Sequence, residues 1–142
     1  MIKKDLLQRQ IEELGKALGM VVSKLYRIEG SGDLESVIKV SVQELKTKSD
    51  LDIQNLLDIP SENFIKTLGA RKDFNHDNLD QLANLFLLFA DKTTVYDQRK
   101  LYEKSLVILD FLENDEKVYS FERRSKIAEI KKRLEESGKG IR

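Results

Sequence analysis

Residues Leu82 to Ala90 read Leu-Ala-Asn-Leu-Phe-Leu-Leu-Phe-Ala, with Asn84 as the one polar side chain, in a chain whose charged fraction is 35%. A surface helix keeps one wet face, so this segment demands cover on more than one side, from the same chain or from another. Successive residues lie about 100° apart around a helix. Leu79, Leu82, Ala83, Phe86 and Ala90 therefore gather on one side, while Asp80, Gln81 and Asn84 mark the other. Leu88 falls among those polar residues and Leu85 lies just beside them. The leading expectation is that both leucines are buried by helices of the same chain, as in an all-round apolar helix at the centre of a bundle. The alternative is an exposed patch that pairs with a protein partner or a second copy in a homodimer, which makes Leu85 and Leu88 the candidate interaction surface.

The neighbouring segments are helical too. From Ile2 to Ile28 apolar residues recur at spacings of three and four, laying one stripe along a helix. Glu29-Gly30-Ser31-Gly32 breaks it, and Asp33 is placed to cap a second helix from Leu34 to about Lys46. The valine-rich stretch Val37–Val42 alternates like a strand, but its flanks offer no hairpin turn. Pro60 disfavours helix in the residue before it, so residues 51–69 divide into two short helices, with Ser61 as the cap of the second and Gly69 as its stop. Asp77 is expected to cap the Leu-rich helix and Asp91-Lys92-Thr93-Thr94 to end it. A sixth helix carries Leu101, Tyr102, Leu106 and Leu109 and stops at the polar break 114–116. Ser120 caps the last, whose apolar face includes Ile127 and Ile130, and residues 138–142 are expected to be a flexible tail beyond a domain spanning 1–137.

Composition supports this all-α reading: 40% hydrophobic residues with seven Gly and one Pro are typical of a helix-rich soluble protein. No cysteine is present, which removes disulfides and thiolate chemistry and suits a cytoplasmic location. The first eighteen residues mix acidic and basic side chains every few positions, unlike a signal peptide or a membrane span. Lys+Arg and Asp+Glu are both 25, so net charge offers no reason for a nucleic-acid or anionic membrane partner. The distribution is uneven: residues 1–28 hold six basic and three acidic side chains, 29–116 ten and eighteen, and 117–142 nine and four. Basic ends and an acidic centre suggest that the first and last helices dock on the middle.

Four motifs were weighed against plainer explanations. His76 in Asp73-Phe74-Asn75-His76-Asp77 has too few companions for a di-iron or zinc site and reads as part of a turn before a helix. Gly30-Ser31-Gly32 resembles an anion-binding loop, yet Asp33 and Glu35 occupy the place of the phosphate and no Walker-type lysine follows. Gly15 and Gly19 form a G-x-x-x-G on one face of a charged helix, where two glycines cost about 1 kcal/mol each in propensity; a close approach by a neighbouring helix is the expected gain. Arg123, Arg124, Lys126, Lys131, Lys132 and Arg133 make a basic stripe on the last helix, without the interleaved aromatics that single-stranded nucleic acid requires. No catalytic, cofactor-binding or metal-ligating residue emerges.

The helical pair ending in Lys100-Leu101-Tyr102-Glu103-Lys104-Ser105-Leu106 resembles one tetratricopeptide unit, in which an aromatic and a small residue three positions later pack the second helix on the first, as Tyr102 and Ser105 are spaced to do. The aromatic-Leu-Gly signature and a second copy at a 34-residue period are both absent. With Asp5–Leu14 and the Leu56-Leu57…Ser61-Glu62 segment, this pair resembles small all-helical bacterial proteins of a family of unknown function, which implies no activity or cofactor. The resulting expectation is an all-α, single-domain bundle of six or seven helices with a tetratricopeptide-like pair near its C-terminus. Its expected role is that of a non-enzymatic protein–protein interaction or self-association module; nucleic-acid association through the basic last helix is the alternative.

Overall fold

The computed structural model describes residues 2–27, 34–116 and 120–140. They form α1 (Ile2–Arg27), α2 (Leu34–Ser49), α3 (Ile53–Asp58), α4 (Ser61–Ala70), α5 (His76–Lys92), α6 (Gln98–Glu116) and α7 (Phe121–Gly140), with no strand among the described residues. The valine-rich stretch is helical within α2. One hydrophobic core runs from Leu14 of α1 to Ile130 of α7. No described helix is long and apolar enough to cross a membrane.

Helix α5 packs between α1 and α6, α6 also meets α3, α4 and α7, and α2 lies against α1. This placement explains the apolar run. Leu85 is 0% and Leu88 9% exposed, so the two leucines are buried by the chain itself and do not form an open interaction surface. The reason lies in the polar residues that seemed to mark a wet face. Asn78, Gln81, Leu85 and Leu88 follow at steps of three, four and three, which places them on one stripe of α5. Asn78 Nδ2 donates to the Ile11 carbonyl at 2.9 Å and Gln81 Nε2 to the Gly15 carbonyl at 3.1 Å. The stripe therefore meets the backbone of α1, and its amides are spent there. Asn84 is engaged as well: its Oδ1 accepts from Lys126 Nζ of α7 at 2.8 Å.

Such close docking needs bare backbone on α1. A Cβ at Gly15 would lie 2.8 Å from Asn78 Oδ1, and one at Gly19 would lie 3.2 Å from Gln81 Oε1. The two glycines thus admit the amides of α5, as the expected close approach requires. On the other side of α5, Ser105 Oγ donates to the Ala83 carbonyl at 3.1 Å in the buried seam with α6. Tyr102, one turn away, is buried beneath α7, where its hydroxyl accepts from Arg133 Nη1 at 3.1 Å.

Several helix ends differ from the sequence expectation. Asn75, not Asp77, caps α5: its extended backbone (φ −82°, ψ −179°) lets Oδ1 accept from the Asn78 amide at 2.9 Å. Asp77 instead lies in the first turn, where its charge suits the helix dipole. Pro60 occupies the cap position of α4, so Ser61 is already helical and its hydroxyl turns to Lys104. Gly69 does not stop α4; Arg71 does, in extended conformation, with its guanidinium bonded to the Ser49 and Asp50 carbonyls at the end of α2 and to Asp73. This clamp sits beside Asp50, the one non-glycine residue with positive φ among those described. Asp97 Oδ1 caps α6 through the Arg99 and Lys100 amides. Residues 114–116 form the last turn of α6, and α7 continues through residues 138–140, in place of the expected tail. Ser120 caps α7 as expected, accepting from the Arg123 amide at 3.1 Å. Asp33 and Gly30-Ser31-Gly32 lie outside the described residues.

Candidate functional site

His76 begins α5. Its Nε2 lies 2.8 Å from Asp115 Oδ2, and its ring stands edge-on to Phe111, which ties the start of α5 to the last turn of α6. Among the described residues no group of three or more potential ligands is arranged around a common point that a metal ion would need. A serine and a lysine do meet: Lys104 Nζ lies 3.3 Å from Ser61 Oγ and 5.7 Å from the centre of the Phe64 ring. Burial pushes the Lys104 amine below the usual lysine range. An activated nucleophile needs an approach path, and Lys104 is only 4% exposed. The contact joins α4 to α6. Beside it, the hydrogen bond from Lys100 holds the Asp58 carboxyl below its ordinary range, across an exposed 3.0 Å pair.

Four side chains of the basic stripe of α7 have partners within the bundle. Arg123 Nη1 and Arg124 Nε each lie 3.7 Å from Glu113 of α6. Lys126 bonds Asn84, and Arg133 reaches Tyr102, Glu129 and Asp91. These contacts satisfy the attraction of a basic end to an acidic centre. Lys131 and Lys132 are exposed.

Two of the surface depressions have mainly apolar walls. One, of about 310 Å³, opens where Tyr26 of α1 meets α5, α6 and α7, and Leu88 is among its walls. The charges around it, Lys126, Arg133, Asp91 and Glu129, are paired with one another or with neighbouring polar groups.

The other follows one flank of the seam between α1 and α2. Its larger part, of about 440 Å³, is lined by Lys24, Arg27, Ser36, Val37, Val40 and Ser41. A smaller, more enclosed continuation of about 70 Å³ runs past Lys24 to Ala17, Met20, Glu44 and Lys48. The helices are antiparallel here, and the spacing explains the groove. On α1, Met20, Lys24 and Arg27 follow at steps of four and three; on α2, Val37, Val40, Glu44 and Lys48 follow at steps of three, four and four. Each set forms a single stripe, and the stripes flank the seam that Val21, Ile38 and Leu45 close beneath. Val40 is 55% and Met20 50% exposed. Ser41 Oγ lies buried at the groove floor with no hydrogen-bond partner.

The groove was not anticipated from the sequence, although a signal for it existed. Val37, Ile38, Val40, Val42 and Leu45 spread over more of the circumference of α2 than a neighbour on one side requires, which is also why the stretch alternates like a strand. No known protein family, curated protein or solved structure matches the chain.

Proposed function

We propose that this chain is a non-enzymatic protein–protein interaction module that docks its partner in the groove between α1 and α2. The observation that carries this reading is the open apolar flank: Val37 and the half-exposed Val40 line a groove of about 440 Å³, and the half-exposed Met20 lines its smaller continuation. Apolar clefts between helices are common binding sites, and methionine adapts to varied partners. The seating of Ser105 on the Ala83 carbonyl supports, within the same reading, a tetratricopeptide-like α5–α6 pair as the scaffold behind the groove. Nucleic-acid association through α7 is less well supported, because Arg123, Arg124, Lys126 and Arg133 are engaged with the bundle.

Photo-crosslinking tests the reading. A photoreactive residue at position 40 is expected to give protein adducts in native lysate, whereas one at Asn63, exposed on α4, gives few. Equal capture at both positions, or none at 40, overturns it.

A further inference from the structure

We infer that the occupant of the α1–α2 groove is an amphipathic helix with an acidic flank, contributed by a different protein. The inference rests on the interaction-module reading and adds the chemistry of the partner.

Length comes first. From Ala17 to Arg27 the groove follows eleven residues of α1, ten steps or about 15 Å at 1.5 Å per residue. About three turns of a docked helix match that span, with apolar anchors at i, i+3 or i+4, and i+7. Val37, Val40, Met20 and Ala17 provide the apolar contact, whereas an extended strand would leave its backbone groups unpaired against side chains on both walls.

Charge selects the partner. Among the described lining residues, Lys24, Arg27 and Lys48 stand against one carboxylate, Glu44, which lies 3.8 Å from Lys24 and 3.7 Å from Lys48. Three cations and one anion leave a surplus of two positive charges along the rim. Glutamate or aspartate beside the apolar anchors would meet that surplus, and complementary charge speeds encounter and excludes wrong partners. A second copy of this chain is disfavoured by the same charges. A two-fold interface presents the same patch from both sides, so Lys24, Arg27 and Lys48 would face their own counterparts. A concave seam between two helices also suits a rod better than the flat surface of a bilayer.

The test uses the full chain and a displayed library of helix-forming peptides about twelve residues long. Enriched peptides are expected to carry apolar anchors at the stated spacing with Asp or Glu beside them. The best of them should shift the amide resonances of Met20, Lys24, Arg27, Val37 and Val40 and bind at least about tenfold more weakly to Lys24→Glu/Arg27→Glu. Replacing its acidic residues by lysine should restore affinity for that variant. Shift mapping on the unmodified chain keeps the result independent of the variant's stability. Neutral or basic peptides that occupy the groove overturn the acidic-helix inference and leave the interaction reading standing. Shifts centred on the crevice near Tyr102, concentration-dependent dimerisation that buries Val40, or equal competition by anionic phosphatidylserine vesicles overturn the inference as well. No enriched peptide together with no adduct at position 40 overturns both.

Discussion

Helices α1 and α7 flank the same central pair, α5 and α6, but are held by different forces. Helix α1 buries Leu14, Leu18, Val21 and Leu25 and accepts hydrogen bonds from Asn78 and Gln81 directly on its backbone. Among the described side chains of α7, Ile130 alone is fully buried, and Ile127 and Leu134 are partly covered. Its remaining hold is electrostatic, through Glu113, Asp91 and Asn84. Apolar burial is insensitive to salt at short range, whereas exposed ion pairs are screened and contribute little singly. The comparison teaches that a basic last helix need not await an external anion: four of its cations already have partners in closing the bundle.

The largest effect should separate the two leucines on the α1-facing stripe. Leu85→Lys puts an ammonium in a fully enclosed site and is expected to cost more than about 4 kcal/mol, enough to prevent folding. Leu88→Lys is expected to be milder, because its longer stem can reach the crevice rim beside Asp91 and Glu129. Urea denaturation measures both; equal losses would mean that the crevice gives no outlet to the charge.

Next comes the apolar joint itself. Leu18 is fully buried, and Leu18→Ala is expected to lower global stability by about 2–5 kcal/mol through lost burial and a residual cavity. Calorimetry should show one cooperative transition at lower temperature. Hydrogen exchange that rises in α1 alone would break the comparison, since α1 would then be an attachment and not part of the core.

A smaller loss is expected at the ionic joint. Glu113→Gln removes the carboxylate shared by Arg123 and Arg124 in a largely enclosed site and should cost about 1–3 kcal/mol. The effect should appear mainly as faster amide exchange in α7. Raising sodium chloride to about 1 M, where the screening length is about 3 Å, should act in the same direction on the exposed pairs while leaving α1 protected. Equal sensitivity of both helices would overturn the distinction.

The finest comparison lies within α1. Gly15→Ala gains about 1 kcal/mol of helix propensity but drives a methyl group against Asn78, whose amide is fixed by the Ile11 and Asp73 carbonyls. A net destabilisation of about 1 kcal/mol is expected, since the hydrogen bonds of a buried amide are disturbed. Gly19→Ala meets only the end of the flexible Gln81 side chain and should be neutral or slightly stabilising. Paired chemical denaturation of the two variants checks the sign of each.

Much of the architecture was legible because periodicity is local. Seven helices, the division at Pro60 and the Ser120 cap follow from apolar spacing, a ring-constrained backbone and a side chain that bonds its own neighbours. Helix ends were less legible. Asn75 and Asp77 are both good caps by type, and only the backbone angles of the folded chain choose between them. The glycines at 15 and 19 announced a close approach without naming its partner, and Gln81 looked like a mark of solvent. The groove between α1 and α2 was hidden for a related reason: an unmatched valine is visible in the sequence, but two of the cations beside it, Lys24 and Arg27, come from the preceding helix.

The sequence by itself determined that the chain is helical, that α5 must be covered on more than one side, and that its charges divide into basic ends and an acidic centre. Which helix covers which face was decided by tertiary structure. An amide can serve water or a neighbouring backbone equally well, and a lysine can face a bundle or the solvent. The choice depends on distances of about 3 Å between residues as far apart as Gly15 and Gln81, or Asn84 and Lys126, and such distances exist only after the chain has packed.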